Sequence, residues 1–480
     1  MQSYYAAHMP PRRTPRQTKS KASSARWDLR AWLRSPTALL LAAGLILPNL
    51  LSIATLGSLI DVSVPPRTIC IMAYATLAIC ARRIPYALTV ILFLAIMAFD
   101  ILWTIFVNFG LAPTELGNLL HQAQQVHIFR SPLYGALVGV LVATSGATLW
   151  LLYRRETLLR ANIVALFAAG LIFTGVDYVA NVSPHYQFGA LLGSNVPVAS
   201  AADKSGFNAV AGTNGRNVIL VMVESLGYLT DPTARRQVAS PLFDSRVTDK
   251  YRISTGSVVY YGSTTWGEMR ELCDTRERYE EFTKTNGSSC LPARLRKRGY
   301  ATMAVHAFSY RMYERNEWYP VIGFDKELFG EELVKSTRRL CGNAFTGVCD
   351  ADLPPIIVRE SAFSKKPKFI YWLTLNTHVP VTPNQALTDF RCEDDAGIFQ
   401  HMRVCEMAEL WHDVFASVSK LALDPSIGPA EILVVGDHAP PLWSRRARAQ
   451  FEPGLVPWYR LTPRDDAMAV NHSQEPTAAR

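Results

Sequence analysis

Four runs of apolar, largely β-branched residues each end in a group able to hold a metal or move a proton. NVILVMV (217–223) is followed by Glu224, and ATMAV (301–305) by His306. KFIYWLTL (368–375) leads to His378, and EILVV (431–435) to Gly436-Asp437-His438. Singly these are weak signals: a Glu after a strand commonly starts a helix, and a lone His is commonly a satisfied structural one. Asp437-His438 is stronger, because Ala439-Pro440-Pro441 makes a rigid turn behind two metal-type ligands. A fifth stretch, YYGSTTWGEMRELC (260–273), sets Ser263, Thr264 and Thr265 in front of helix-forming residues. Ser and Thr are good N-caps, and a hydroxyl at a helix start is also a candidate nucleophile. Carboxylate, imidazole and hydroxyl oxygen together suit Zn²⁺ or Mn²⁺.

The elements that must position these groups follow from periodicity. Continuous apolar runs fit strands buried on both faces, and helical stretches at 291–298 and 405–420 lie between them. Alternating strands and helices predict a mainly parallel α/β sheet over 216–462. Such sheets bind ligands at the carboxyl ends of their strands, which is where the acids and histidines fall.

The first part of the chain differs. Apolar residues make up 49% of the 480 and charged residues 19%, too apolar for an ordinary soluble enzyme. The excess lies in segments at about 36–60, 67–81, 84–110, 132–153 and 160–180. The expectation is a bundle of five transmembrane helices over 36–180, although the second segment has only 14 residues between Arg67 and Arg82. Residues 1–35 carry eight Lys/Arg against Asp28, giving +7 of the net +9; the high charge is therefore a basic cytoplasmic tail and no argument for nucleic acid. Arg82-Arg83 and Arg154-Arg155-Arg160 follow the second and fourth segments, so five spans leave every basic cluster inside and everything after residue 180 outside. Asp100 sits within the third segment, as a functional group or as a partner for a neighbouring helix. Residues 181–215, rich in Ala, Gly, Ser and Asn, read as a linker, and 463–480 as a flexible tail.

Cys273, Cys290, Cys341, Cys349, Cys392 and Cys405 lie after the membrane segments and lack C-x-x-C metal spacing. An even set in an extracytoplasmic domain predicts disulfides. Fifteen connectivities are open; the sequence-local one, 273–290, 341–349 and 392–405, is the expected one, and free buried thiols are the alternative.

NVILVMVESLG, GSTTWGEM, LNTHVPV and VVGDHAPP occur here in one order and at one spacing. In this the chain resembles membrane-anchored members of the alkaline phosphatase/sulfatase superfamily, namely the phosphoethanolamine transferases and the lipoteichoic acid synthase-like phosphoglycerol transferases. The resemblance covers about 216–460 and implies an alkaline-phosphatase-like domain. It implies Glu224, Thr264, Asp437 and His438 as ligands of a divalent metal, Zn or Mn, with Thr264 also the nucleophile. It implies His378 as catalytic and phosphate-contacting, and Tyr313 and Arg315 of MYER as further substrate contacts. His306 stays a substrate-binding candidate without a clear motif counterpart. The implied reaction moves a phosphorylated headgroup, phosphoethanolamine or phosphoglycerol, from a phospholipid to an envelope glycan or lipid A type acceptor through phospho-Thr264. The implied place is a bacterial inner membrane, multi-pass, with the catalytic domain in the periplasm. The alternatives are a phosphodiesterase or phosphatase with water as acceptor, and a non-enzymatic sensor, against which the intact ligand set counts. The Cys/Ser-x-Pro-Ser/Ala-Arg signature of sulfatases proper is absent, which argues against sulfate ester hydrolysis.

Overall fold

The computed structural model describes residues 33–55, 61–111, 116, 132–186, 198–282, 287–337, 339–342, 345–362, 365–393 and 396–464. The basic tail, apart from residues 33–35, and residues 465–480 lie outside them.

Seven strands form one sheet: β1 (Asn217–Val223), β2 (Tyr251–Val259), β3 (Ala301–His306), β4 (Lys326–Leu328), β5 (Lys368–Leu373), β6 (Ala430–Gly436) and β7 (Leu455–Pro463). Their order is β2-β7-β6-β1-β5-β3-β4. The run from β6 to β4 is parallel, whereas β7 is antiparallel to both β6 and β2. The sheet is thus mainly parallel with an antiparallel edge. In β1, Ile219, Val221 and Val223 pack into one core and Val218, Leu220 and Met222 into the other. A sheet covered on both faces requires such an unbroken apolar strand. The edge pair was not legible in the same way. Its strands are polar or carry prolines, and Gly256 of β2 lies under the ring of Trp458 of β7, where a Cβ would come within 2.4 Å of the indole.

The six later cysteines are bonded as Cys273–Cys290, Cys341–Cys349 and Cys392–Cys405. Composition misjudges part of the linker: Ala201, Ala202 and Phe207 are fully buried in the second core, so the chain joins the α/β domain before β1.

Among the described residues, three helices are long and apolar enough to cross a membrane: α1 (Tyr86–Phe109), α2 (Pro132–Tyr153) and α3 (Ile163–Asn181). Ile91, Val142, Val164 and Ile172 on them point outward, as lipid-facing side chains do. The other two apolar segments form shorter helices, Pro36–Ile46 and Thr68–Cys80. At one end of this unit Arg82 donates to the Leu159 carbonyl (2.6 Å), and the Asn162 N–H to Thr37 (3.1 Å). At the other end Arg445 of the α/β domain donates to the carbonyls of Val62 (3.0 Å) and Ala180 (2.8 Å).

Asp100 is a pairing group. It receives Arg67 Nε (2.7 Å) and Tyr74 Oη (3.3 Å), while the Arg67 N–H donates to Asp177 (2.8 Å). Removing one partner of a buried pair strands the other charge, at about 3–5 kcal/mol. Asp100→Ala is therefore expected to lower the melting temperature of the full-length protein in detergent sharply, and Asp100→Ala/Arg67→Leu to recover much of the loss. Equal melting of the single and double variants would show that the pair is not what stabilises this end of the bundle.

Candidate active site

The carboxyl ends of β1, β5 and β6, and helix α4 (Thr264–Cys273), converge on one buried cluster. Thr264 Oγ1 donates to Glu224 Oε2 at 3.1 Å and lies 3.5 Å from His438 Nε2. His438 Nε2 is 3.2 Å from Glu224 Oε1 and 3.4 Å from Asp437 Oδ2. All four side chains are buried.

Each arm has its own support. Ser225 adopts the left-handed conformation (φ 56°), which turns its N–H onto Asp437 Oδ1 at 2.7 Å; such backbone in a non-glycine residue costs energy and gathers at functional sites. The His438 ring accepts its orientation from an Nδ1–H bond to the Ala439 carbonyl (3.0 Å), leaving Nε2 as the donor atom toward the cluster. Arg270, one helical side below Thr264, donates to the carbonyls of Gly436 (2.8 Å) and Asp437 (3.1 Å) and is held by Glu271 (2.6 Å). Glu271 in turn accepts the Ala201 and Ala202 N–H groups, both at 3.0 Å. Gly267 lets α4 approach the ligand loop, since a Cβ there would stand 2.9 Å from that of Asp437. Sequence reading passed over Arg270, Glu271 and Gly267; their buried charges in a helix only gain meaning from what lies across from them.

The hydroxyl row resolves into different tasks. Ser263 occupies the N-cap position of α4, yet its side chain makes no capping bond. Thr265 is buried on another side of the helix, and only Thr264 points into the cluster.

Electrostatics favour a cation. Burial, then the Glu224 charge, pushes the Asp437 carboxyl up to about 8. Burial works against a charged His438, but Asp437 and Glu224 outweigh it and raise the imidazole to about 9. Glu224 is held below the ordinary range by His378 and His438 against its own burial. Two buried carboxylates share too little positive charge, and Asp437 Oδ2 accepts no hydrogen bond. The donor separations of 3.1–3.5 Å also match the edges, about 3.3 Å, of a tetrahedron with metal–ligand bonds of about 2.0–2.1 Å. The residues therefore fit a divalent metal, and Glu224, Asp437 and His438 carry atoms mutually within 4.8 Å. A second grouping, Cys392, Cys405 and Glu409, has its sulfurs committed to a disulfide.

The remaining expected residues sit at different depths. His378 is half-buried at the cluster's rim, its Nε2 3.9 Å from Glu224 and its Nδ1 bonded to the Val379 carbonyl (2.6 Å); burial, partly offset by Glu224, keeps it neutral. Its loop hangs on Asp350, a buried acid that accepts the Leu375 (2.9 Å) and Asn376 (2.7 Å) N–H groups. His306 is buried against the Leu373 carbonyl (3.1 Å) and pushed down to about 3 by burial and then by Arg315. Arg315 differs most from the expectation of a phosphate contact. It is 1% exposed, and its guanidinium grips Glu268 (2.9 Å) and the Met312 carbonyl (3.2 Å). A phosphate would have to compete with that carboxylate. Tyr313 and Glu314 are both left-handed (φ 58° and 51°), the backbone that turns the chain into this pair, and the Arg315 guanidinium lies 5.1 Å from the Tyr313 ring.

Residues 216–442 match the sulfatase family model. That stretch is similar to the sulfatase family over a little under half of the chain. No curated protein matches the chain. Among solved structures, the lipoteichoic acid synthase LtaP from Listeria monocytogenes is 16% identical, with 51% of this chain and 65% of that chain covered and a TM-score of 0.39. The phosphoglycerol transferase GacH from Streptococcus pyogenes, in complex with sn-glycerol-1-phosphate, is 17% identical, covering 52% and 68%, TM-score 0.36. The C-terminal periplasmic domain of EcEptC from Escherichia coli is 15% identical, covering 56% and 78%, TM-score 0.33. The chain thus spans slightly less than two thirds of the LtaP chain. The matched stretch begins one residue before β1 and ends in the proline turn after His438, so it contains every member of the buried cluster.

Proposed function

We propose that the protein is a membrane-embedded, metal-dependent transferase that moves a phosphorylated headgroup from a phospholipid to an envelope glycan or lipid acceptor through phospho-Thr264. The observation that carries this reading is the Thr264 hydroxyl, at the start of α4, bonded to Glu224 and beside His438 in a cluster short of positive charge.

Glu224, Thr264, Asp437 and His438 would hold the metal, Zn or Mn. Such an ion lowers the pKa of the hydroxyl and neutralises charge on the phosphate. Thr264 Oγ attacks phosphorus; the Oγ–P bond forms and the bond to the diacylglycerol oxygen breaks. In the first turn of α4 the Trp266 N–H already bonds the Ser263 carbonyl (3.1 Å), and the Thr264 and Thr265 N–H groups would face the same phosphate. His378, neutral and with Nε2 open to the site, passes the threonine proton to the departing oxygen. In the second half the acceptor hydroxyl attacks the same phosphorus, the Oγ–P bond breaks, and the acceptor's own proton passes through His378 to Thr264 Oγ. Arg315, which grips Glu268 of α4, positions the helix, and His306 adds a neutral imidazole near Arg315.

The membrane reading rests on the two ends described above. The ends near Thr37, Arg82 and Leu159 carry the basic residues, and the ends near Val62, Asn108 and Ala180 meet the α/β domain. Five crossings with the basic end cytoplasmic put the disulfide-bonded domain on the periplasmic face of a bacterial inner membrane.

Full-length protein in vesicles of phosphatidylglycerol and phosphatidylethanolamine, given metal, should release diacylglycerol and retain the headgroup on protein until an acceptor glycan is added. His378→Ala should lose about 10²–10⁴-fold in turnover while keeping its metal. Release of free phosphorylated headgroup at the same rate with and without acceptor would make the enzyme a hydrolase; loss of metal in His378→Ala would move that residue into the ligand set.

A further inference from the structure

A narrow cleft runs from His438 to the end of α1. One wall is Val107, Asn108 and Phe109, the last residues of a membrane-length helix; the other holds Gly262, His438 and Arg448. Arg448 is 6% exposed, a buried cation. Its Nε donates to the Leu442 carbonyl and its Nη2 to Asn108 Oδ1 (2.6 Å). Its Nη1 makes no hydrogen bond among the described residues, and no described carboxylate pairs with it. The groups that bear on its charge are the Tyr186 and Tyr260 phenols. His185 is bonded to the Phe451 carbonyl (3.0 Å), and Glu452, the acid of this cleft, bears on His185.

A buried guanidinium without a counter-charge is costly. Its neighbour Arg445 shows the contrast, with its donors spread over carbonyls of the membrane unit. With no described acid beside it, Arg448 has room for an anionic partner, and the planar fork of arginine suits phosphate oxygens. The wall made by α1 says where the rest of the ligand goes, since chains attached to that phosphate lie toward the bilayer.

We propose that Arg448, oriented by Asn108 of the membrane unit, binds the phosphate of a membrane phospholipid and aligns it beside the Thr264 cluster. The anion site follows from the cleft itself; the choice of a lipid that is also the donor rests on the function proposed above. Asn108 makes the site a joint product of the two halves of the chain.

The test uses full-length Thr264→Ala protein in dodecylmaltoside micelles, so that no turnover intrudes. The probes are dioctanoyl phosphatidylglycerol, dioctanoyl phosphatidylethanolamine, dioctanoylglycerol and inorganic phosphate, titrated calorimetrically. Adding Arg448→Gln should weaken at least one phospholipid tenfold or more. Arg448→Lys should lose less, Asn108→Ala should weaken the same lipid, and the exposed neighbour Arg446→Gln should change nothing. Dioctanoylglycerol binding should be indifferent to Arg448. Unchanged phospholipid affinity in a folded Arg448→Gln overturns the proposal, as does an equal loss for dioctanoylglycerol. Inorganic phosphate binding as tightly as the lipids would overturn the lipid assignment. If Arg448→Gln does not fold, Arg448→Lys and Asn108→Ala give the same readings. Lipid binding that depends on Arg448, in a protein whose Thr264 form turns over no lipid, would keep the anion site and reject the transferase.

Discussion

Thr264→Ala should reduce headgroup transfer by about 10³-fold or more, whereas Ser263→Ala and Thr265→Ala should retain substantial activity. The reason is direction. Successive residues of a helix are about 100° apart, so only one of the adjacent threonines can face the cluster, and it is the Thr264 oxygen that lies 3.1 Å from Glu224. With lipid donor and no acceptor, the wild-type chain should gain a phosphorylated headgroup on the peptide spanning 262–270, and the Thr264→Ala chain should not. Fragment masses placing the adduct on Thr265, or full activity in Thr264→Ala, would sink the assignment.

The second large effect is on metal content. Asp437→Asn should abolish tight metal binding and activity without unfolding the domain. Asn keeps an oxygen to accept the Ser225 N–H (2.7 Å), so the turn after β6 survives. What it loses is one of two negative charges in a site walled off from water. Removing that charge relieves the Glu224–Asp437 repulsion, so the metal-free variant should melt at or above metal-free wild type. Added Zn²⁺ or Mn²⁺, which stabilises wild type by mass action, should leave the variant's melting temperature unchanged. Asp437→Ala should also lose the metal, but with a lower melting temperature, because two N–H groups lose their acceptor. Metal content equal to wild type in Asp437→Asn would place the ion elsewhere.

The two experiments separate roles that the geometry superimposes. Thr264 is both a ligand-type oxygen and the nucleophile, so Thr264→Ala is expected to weaken metal binding in part, while Asp437→Asn, which touches no substrate, should remove the metal and activity together. Metal titration of each variant distinguishes the two.

What the sequence determined by itself was whatever is encoded locally. β1, β5 and β6 were legible because a strand buried on both faces needs an unbroken apolar run, and NVILVMV, KFIYWLTL and EILVV leave no other reading. The groups at their carboxyl ends, Glu224, His378 and Asp437-His438, followed from parallel topology, and local spacing preferred the bonds that the cysteines make. Tertiary structure alone decided everything that depends on what lies opposite. Arg315 carries a motif-like position, yet across from it stands Glu268, and burial makes that pair close on itself. Asp100 within an apolar segment was ambiguous until Arg67, 33 residues away in the chain, proved to be its partner. Arg270 and Gly267 look like ordinary helix residues until the Asp437 loop is packed against them. Arg448 was invisible in the sequence, one arginine in SRRARAQ; only the folded surroundings show that it is buried and that no described carboxylate pairs with it.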